Sequence, residues 1–326
     1  MSDPKNYESI LLTPDVISQN TVAYLEDRRK NAAHGVSVGL AGFDKDFLPL
    51  YKGEVCSLLA RPGCGKTGFM VRWARERAKW LRDQKIDNRI VMYITLEQTV
   101  EELNAFNMAA DERVSITNMA RGTISESDWN RCLKSSVERM FWPLWNIGYS
   151  SMTQTKQIRI DADAIEGALN IARDKHKKEI DIVFVDYLQR IPLPRGAESK
   201  SVGVSENLDL IKTMAMRTIH APFVVGVQAS REVDEYADKI PELGDGQWTS
   251  NIEQTSDRII ALMRPAKYWQ EGSYADIDLL ANMRISKEIL AMYVLKQKLG
   301  KDNFPYLAKF EPEYNILDEL EIKKGR

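Results

Sequence analysis

Short, unbroken apolar runs alternate along the chain with longer stretches in which apolar residues recur every three or four positions. Glu54 to Ala60, Arg89 to Leu96, Ile180 to Asp186, Pro222 to Gln228, Arg258 to Met263 and Ile289 to Leu295 are runs of the first kind, rich in β-branched residues. Continuous apolar character is what parallel strands buried on both faces require. Asp161 to Lys178 and the segment around Leu208 to Ile219 have helical spacing, as does the stretch carrying Phe69, Met70, Trp73 and Ala74. The pattern predicts an α/β fold with a mainly parallel central sheet flanked by helices. Ligands of such sheets bind beyond the carboxyl ends of the strands, so the polar residues that end the runs are the candidates for chemistry.

Residues 1–35 have a different character. Thr13-Pro14-Asp15 predicts a helix start, and Val16, Ile17, Val22, Ala23 and Leu25 give a loose helical spacing that runs into Glu26-Asp27-Arg28-Arg29-Lys30. This stretch is expected to be an N-terminal arm or linker helix, packed on its own domain or docked on a neighbouring copy. Residues 36–326 are expected to form the main domain.

Composition narrows the class. At 326 residues, 44% hydrophobic and 28% charged, the chain has material for one large domain and an appendage. A net charge of −2 excludes a surface that is basic all over, so contact with nucleic acid requires a local stripe or a channel assembled from several copies. Cys56, Cys64 and Cys132 have no metal-ligand spacing and read as reduced thiols; His34, His176 and His220 belong to no ligand cluster. No apolar signal region follows Met1, and no run of about 18 apolar residues occurs. A cytoplasmic protein without a membrane partner is the expectation.

The first apolar run ends in Ala60-Arg61-Pro62-Gly63-Cys64-Gly65-Lys66-Thr67 and is followed by a helical pattern. Strand, glycine-rich turn and helix in that order make a phosphate-binding loop, even though Ala60 stands where the general pattern has glycine. Arg61 to Thr67 would wrap a triphosphate, all but Pro62 carrying a backbone N–H to offer it, Lys66 would reach the β and γ phosphates, and Thr67 would hold Mg²⁺. Asp186 ends a later strand and is the acidic partner for that Mg²⁺. Glu97 is suited to polarise an attacking water, and Gln228 to sense the γ-phosphate by hydrogen bonding. Each also has a plainer reading, as a strand terminus, a helix N-terminal residue or a solvated loop residue. ATP and Mg²⁺ are the expected cofactors.

Those residues carry a resemblance. The Ala60 to Thr67 loop is similar to that of DnaB-type replicative helicases, a RecA-like family in which alanine first and Arg-Pro next are usual. The similarity continues through Thr95-Leu96-Glu97, Arg121-Gly122 with Asp128-Trp129, Val185-Asp186-Tyr187-Leu188-Gln189, Gln228-Ala229-Ser230-Arg231, Ile252-Glu253-Gln254 with Asp257, and Lys296-Gln297-Lys298. The resemblance implies a RecA-like P-loop ATPase, a homo-oligomer in the form of a hexameric ring, translocation on single-stranded DNA with duplex unwinding, and a separate primase or loader as partner. It implies the roles above for Lys66, Thr67, Glu97, Asp186 and Gln228, and places Lys296 and Lys298 at a neighbouring subunit's ATP.

Two departures stand out. Lys298 replaces the arginine usual in the family, and lysine lacks the planar fork that clamps a transferring phosphoryl group. Gln247-Trp248-Thr249-Ser250-Asn251 replaces a segment that often holds an Arg-Glu pair facing nucleic acid; Trp248 would stack on a base or pack in a subunit interface. The turn-rich stretch Pro192 to Gly203, with Arg195 and Lys200, is the other candidate nucleic-acid loop. Arg72, Arg75, Arg77, Lys79 and Arg82 read as the solvated face of a helix. The departures also leave open a RecA-like or KaiC-like regulatory ATPase without helicase activity. The 35 residues before the main domain are too few for a primase-docking N-terminal domain of the family's kind.

Overall fold

The protein is described by a computed structural model covering residues 11–30, 35–153, 158–248, 251–275, 277–280 and 283–320. His34, Thr249 and Ser250 lie outside the described residues. Contacts divide the chain into two units, Met1–Val36 and Ser37–Arg326. In the first, helix α1 (Pro14–Lys30) begins at a proline, whose fixed φ and missing N–H suit a first turn. Its Ile17, Val22, Tyr24 and Leu25 are exposed.

The second unit is built on β1 (Val55–Ala60), β2 (Arg89–Thr95), β3 (Leu144–Ile147), β4 (Glu179–Asp186), β5 (Phe223–Gln228), β6 (Arg258–Met263), β7 (Ile289–Gln297), β8 (Phe304–Glu311) and β9 (Ile316–Glu319). They form one sheet in the order β3-β2-β4-β5-β1-β6-β7-β8-β9. From β3 to β6 neighbours run parallel. All of β1 and β6 is buried, as are β2 and β4 beyond their first residues, which is why their runs are continuous in the sequence.

The run Ile289 to Leu295, expected among the parallel strands, is instead antiparallel to β6. Parallel neighbours need a crossover, usually a helix, whereas residues 264–288 carry short 3-10 turns at Pro265–Lys267 and Asp278–Leu280. β8 and β9 extend the antiparallel edge. They and β3 escaped the apolar pattern. β3 has four residues, none buried, and β8 carries Pro305 and Lys309 among its apolar positions.

Helices α2 (Lys66–Asp83), α3 (Val100–Glu112), α4 (Ile116–Arg121), α5 (Glu126–Arg139), α6 (Ala162–Asp174), α7 (Lys200–Thr213) and α8 (Ile252–Thr255) complete the unit. Thr99, Ser115, Ser125, Asp161 and Ser199 cap five of them, each accepting a backbone N–H two or three residues into its helix. α2 is the central one. Its Trp73 meets Phe47, Phe69 and Phe184 edge to face and donates its indole N–H to the Ser37 carbonyl at 2.7 Å. Truncating such a buried tryptophan costs about 3–5 kcal/mol.

The charged stretch of α2 is a solvated face only at its end, where Arg82 is exposed and Lys79 half-buried. Arg72, Arg75 and Arg77 are buried. Arg72 donates to the carbonyls of Val38, Gly39 and Leu317, Arg77 forms a two-pronged pair with Asp181 at 2.6 and 3.1 Å, and Arg75 lies 3.9 Å from Asp111. Buried charges persist only where such partners satisfy them, and these partners are distant in sequence. A second correction concerns Pro192 to Gly203. α7 starts at Lys200, with Ser199 accepting the Val202 N–H at 3.2 Å, so Lys200 sits on a helix and not in a loop. The helix expected around Leu208 to Ile219 runs from Lys200 to Thr213 and continues as a π-helical turn over Met214–Thr218.

Candidate functional site

Register places the candidates along one edge of the sheet. Gln228 pairs with Ala60 on adjacent β5 and β1, and Asp186 with Thr95 on adjacent β4 and β2. The loop after Ala60, the residues after Thr95, Asp186 and Gln228 therefore share the carboxyl edge of four neighbouring strands, about 15 Å across at the usual strand spacing. A cavity of about 460 Å³ opens there, lined among others by Arg61, Pro62, Gly63, Gly65, Lys66, Thr67, Glu97, Tyr187 and Gln228.

The loop turns through Gly63 and Gly65, with φ of 78° and 86°, a left-handed backbone that side chains disfavour. Gly65 caps α2 without a side-chain hydrogen bond, so the first N–H groups of the helix face the cavity with the positive end of its dipole. Arg61 does not point its charge at a ligand. Its guanidinium bonds Asp234 at 2.7 and 3.1 Å and the Ala229 carbonyl at 3.0 Å, bracing the loop and holding the Asp234 carboxyl below its usual range. Lys267 donates to the Pro62 carbonyl at 2.6 Å. Cys64 is buried, with its Sγ 3.9 Å from the Tyr268 hydroxyl.

Lys66 lies with its Nζ 3.8 Å from the centre of the Tyr187 ring. Burial lowers its pKa, against the pull of Asp186 and Glu97. Burial raises that of Asp186, against Lys66 and hydrogen bonds from Thr67 and Tyr93; the Tyr93 hydroxyl donates to Asp186 Oδ2 at 3.0 Å. Asp186 Oδ1 is buried and takes no well-formed hydrogen bond. The Thr67 hydroxyl and the Asp186 carboxylate together offer hard oxygen donors, the set Mg²⁺ prefers. The peptide after Asp186 is cis. Glu97, two residues beyond β2, is half exposed and 3.5 Å from Arg190.

Arg264, Phe310, Pro312 and Asn315 also line the cavity and were not among the expected site residues. Arg264 directly follows β6, so the strand-end rule reaches it; Phe310 and Asn315 come from the antiparallel edge, where no sequence signal points to the site. A Cβ added at Gly68 would meet Asn315 Oδ1 at 2.7 Å and Phe310 Cζ at 2.8 Å, so this edge presses on the first turn of α2.

Lys296 and Lys298 lie elsewhere. Gln297 pairs with Arg258 at the first residue of β6, and Cys56 of β1 pairs with that same residue. The two lysines thus flank the amino edge of the parallel strands, at a level about 13 Å along the strand direction from Ala60, where the phosphate loop of their own chain begins. Lys296 donates to the Glu253 and Ser256 carbonyls at 2.5 and 3.0 Å. Lys298 is exposed and 3.5 Å from Asp257.

The nucleic-acid candidates form a second group. Lys200 Nζ lies 3.4 Å from the centre of the Trp248 ring, bringing the two proposed loops together. Trp248 is 39% exposed. Gln247 is tied to Gln228 and Gln189, and the Asn251 carbonyl accepts the Thr255 N–H at 3.0 Å. Arg195 is exposed and borders a separate cavity of about 450 Å³ with Arg159, Asp161 and Asp163.

The family described as the DnaB-like helicase C terminal domain matches residues 35–315. The chain is 26% identical over 320 residues to the replicative DNA helicase DnaC of Bacillus subtilis strain 168, covering 97% of this chain and 64% of that protein. It is 27% identical over 254 residues to the replicative DNA helicase DnaB of Rickettsia bellii, covering 76% of this chain and 49% of that one. The chain thus spans about half to two thirds of these relatives. Among solved structures, one of an ATPase domain superimposes with a TM-score of 0.74 at 20% identity, covering 93% of this chain and 98% of that one. A DnaB-like replicative helicase studied with primase gives 0.72 at 22% identity, covering 88% and 64%. The mainly parallel sheet, the phosphate loop at its centre and this match over most of the length agree: the chain belongs to the DnaB-like helicase C-terminal domain family.

Proposed function

We propose that this chain is the motor of a ring ATPase that couples ATP hydrolysis to translocation on single-stranded DNA and to duplex unwinding. The observation that carries the reading is the convergence of the phosphate loop, Glu97, Asp186 and Gln228 on one edge of the sheet, at the cavity that the loop, Glu97 and Gln228 line. Lys66 and the loop N–H groups bind the phosphates of ATP, and Thr67 and Asp186 would hold Mg²⁺, which would supply neutralisation of phosphate charge. Glu97 accepts a proton from the attacking water, and Gln228 donates a hydrogen bond to the γ-phosphate. Arg264 and Phe310 also line this cavity.

The unit of function is a homo-oligomer, a hexameric ring. Lys296 and Lys298 are at the wrong edge of the sheet to serve their own phosphate loop, so a role for them at ATP is a role in the next subunit's site. The exposed apolar residues of α1 suit an arm over residues 1–35, before a main domain over 36–326, that engages a neighbouring copy. Arg195, Lys200, Gln247, Trp248 and Asn251 face the strand in the channel, where modest charge per subunit is multiplied by repetition. A separate primase or loader acts with the ring, in the cytoplasm. No helix among the described residues is long and apolar enough to cross a membrane.

The test is ATP turnover by the full chain with and without single-stranded DNA, beside strand separation of a forked duplex. Turnover stimulated by DNA and loss of both activities in Glu97→Gln, with ATP binding retained, are expected. An assembled ring that hydrolyses ATP but neither binds DNA nor opens the fork makes it a regulatory ATPase instead.

A further inference from the structure

β5 outlasts its neighbour on one side. β4 and β5 pair only as far as Val185 and Val225, whereas β5 continues to Gln228 beside β1. The N–H and C=O of Gln228 would therefore face a missing strand. The carboxamide of Gln189, three residues beyond the end of β4, fills that place. Its Oε1 accepts the Gln228 N–H at 3.1 Å, and its Nε2 donates to the Gln228 carbonyl at 3.3 Å. A glutamine side chain carries the same donor and acceptor as a peptide unit, so it extends the ladder by one unit.

The same Nε2 also donates to the Gln247 carbonyl at 3.0 Å, and the Gln247 N–H donates to the Gln228 carbonyl at 2.8 Å. Gly246 bridges Ala229 beside it. The next residue is Trp248, whose ring lies under Lys200. One partly buried carboxamide thus links the turn after Asp186, the backbone of Gln228 at the nucleotide cavity and the backbone of the segment that presents Trp248.

We propose that Gln189 is a positioning residue that couples the state of the nucleotide at Gln228 to the grip of the Trp248 segment on nucleic acid. The proposal rests on the helicase reading above. A displacement of Gln228 toward or away from a γ-phosphate moves both carbonyls that Gln189 holds, and so moves Gln247 with it. Gln189→Leu removes the donors and the acceptor while keeping an apolar body of similar reach. Gln189→Glu keeps the acceptor but sets a carboxylate against the Gln228 and Gln247 carbonyls.

The experiment measures the affinity of the full-chain ring for a fluorescent oligo-dT strand with ADP and with a non-hydrolysable ATP analogue, together with basal turnover and KM for ATP. In the wild type the ratio of the two affinities reports the coupling, and couplings between sites run from about 5-fold to 150-fold. Both variants are expected to bring the ratio at least about fivefold nearer to one, with basal kcat and KM within about threefold of wild type. A residue that only props up the fold would shift kcat, KM and thermal stability and leave the ratio alone. If Gln189→Leu does not assemble, Gln189→Glu decides. An unchanged ratio in an assembled variant overturns the proposal and leaves the helicase reading standing; a wild-type ring with no affinity for the strand in either state overturns both.

Discussion

Gly226 lies in the middle of β5, opposite Leu58 of β1, and is not among the residues that line the cavity. A Cβ there would come within 3.1 Å of Lys66 Cδ, 3.2 Å of Met70 Sδ and 3.3 Å of Lys66 Cε. The stem of Lys66 therefore runs over a space that only glycine leaves open, with the Tyr187 ring against its ammonium. Gly226→Ala forces the lysine to give by a few tenths of an ångström. Misplacing a group by about 1 Å can cost on the order of 100-fold in rate, so this shift is expected to lower kcat/KM for ATP by about five- to tenfold, or about 1–1.4 kcal/mol.

Stability is expected to fall by a net of about 0–2.6 kcal/mol. Overpacking costs about 1–3 kcal/mol, and alanine recovers about 0.4–1 kcal/mol by restricting the unfolded chain. Thermal melts and steady-state turnover on the same preparation separate the two effects. Gly167→Ala is the control, since a Cβ there meets nothing within 4 Å and a helix gains about 0.5–1 kcal/mol from the change. Wild-type kcat/KM in assembled Gly226→Ala would refute the claim that this glycine positions Lys66.

Lys298→Ala removes an exposed lysine from the buried Asp257, which keeps its pair with Lys212, so folding and ATP affinity should survive while turnover falls; mixed rings with Glu97→Gln subunits should regain part of it, and no rescue in verified mixed rings counts against catalysis across the boundary. Trp248→Ala is expected to weaken single-strand binding by about 1–3 kcal/mol without changing its salt dependence, and Lys200→Ala to shallow the logarithmic salt slope by about 0.7. Because the two side chains touch, the double variant should deviate from the sum of the singles; strict additivity would separate them. Hydrogen bonds from Ser150 and Ser151 hold the Glu101 carboxyl down at about 2, against an ordinary value of 4.5. The folded state thus binds that proton more weakly than the unfolded chain, and the stabilisation present above about pH 4.5 is lost as pH falls toward 2. Glu101→Gln should lower stability near neutrality and flatten that acid limb in a pH series of thermal melts; an unaltered limb would show that these bonds do not persist in solution.

Much of this molecule is local in origin. An apolar run followed by Arg61 to Thr67 and a helical pattern is enough to specify a phosphate loop, because turn, dipole and lysine are consecutive in the chain. The buried parallel strands were legible for a similar reason: burial on both faces writes itself as an uninterrupted apolar run. Asp186 and Gln228 could be picked out as strand ends, although only the register of β4, β5 and β1 sets them beside the loop. What the chain did not announce depends on partners far away in sequence. Arg72, Arg75 and Arg77 of α2 look solvated until Leu317, Asp111 and Asp181 are brought against them. β8 and β9, through Phe310 and Asn315, join the nucleotide cavity from more than 240 residues beyond the loop they press on. Lys200 and Trp248 are 48 positions apart and meet only because the start of α7 and the segment after β5 lie on the same side. Periodicity records which face of an element is buried; it carries no record of what that face is buried against, and the orientation of β7, the bracing of Arg61 and the three-way bond of Gln189 were all decided there.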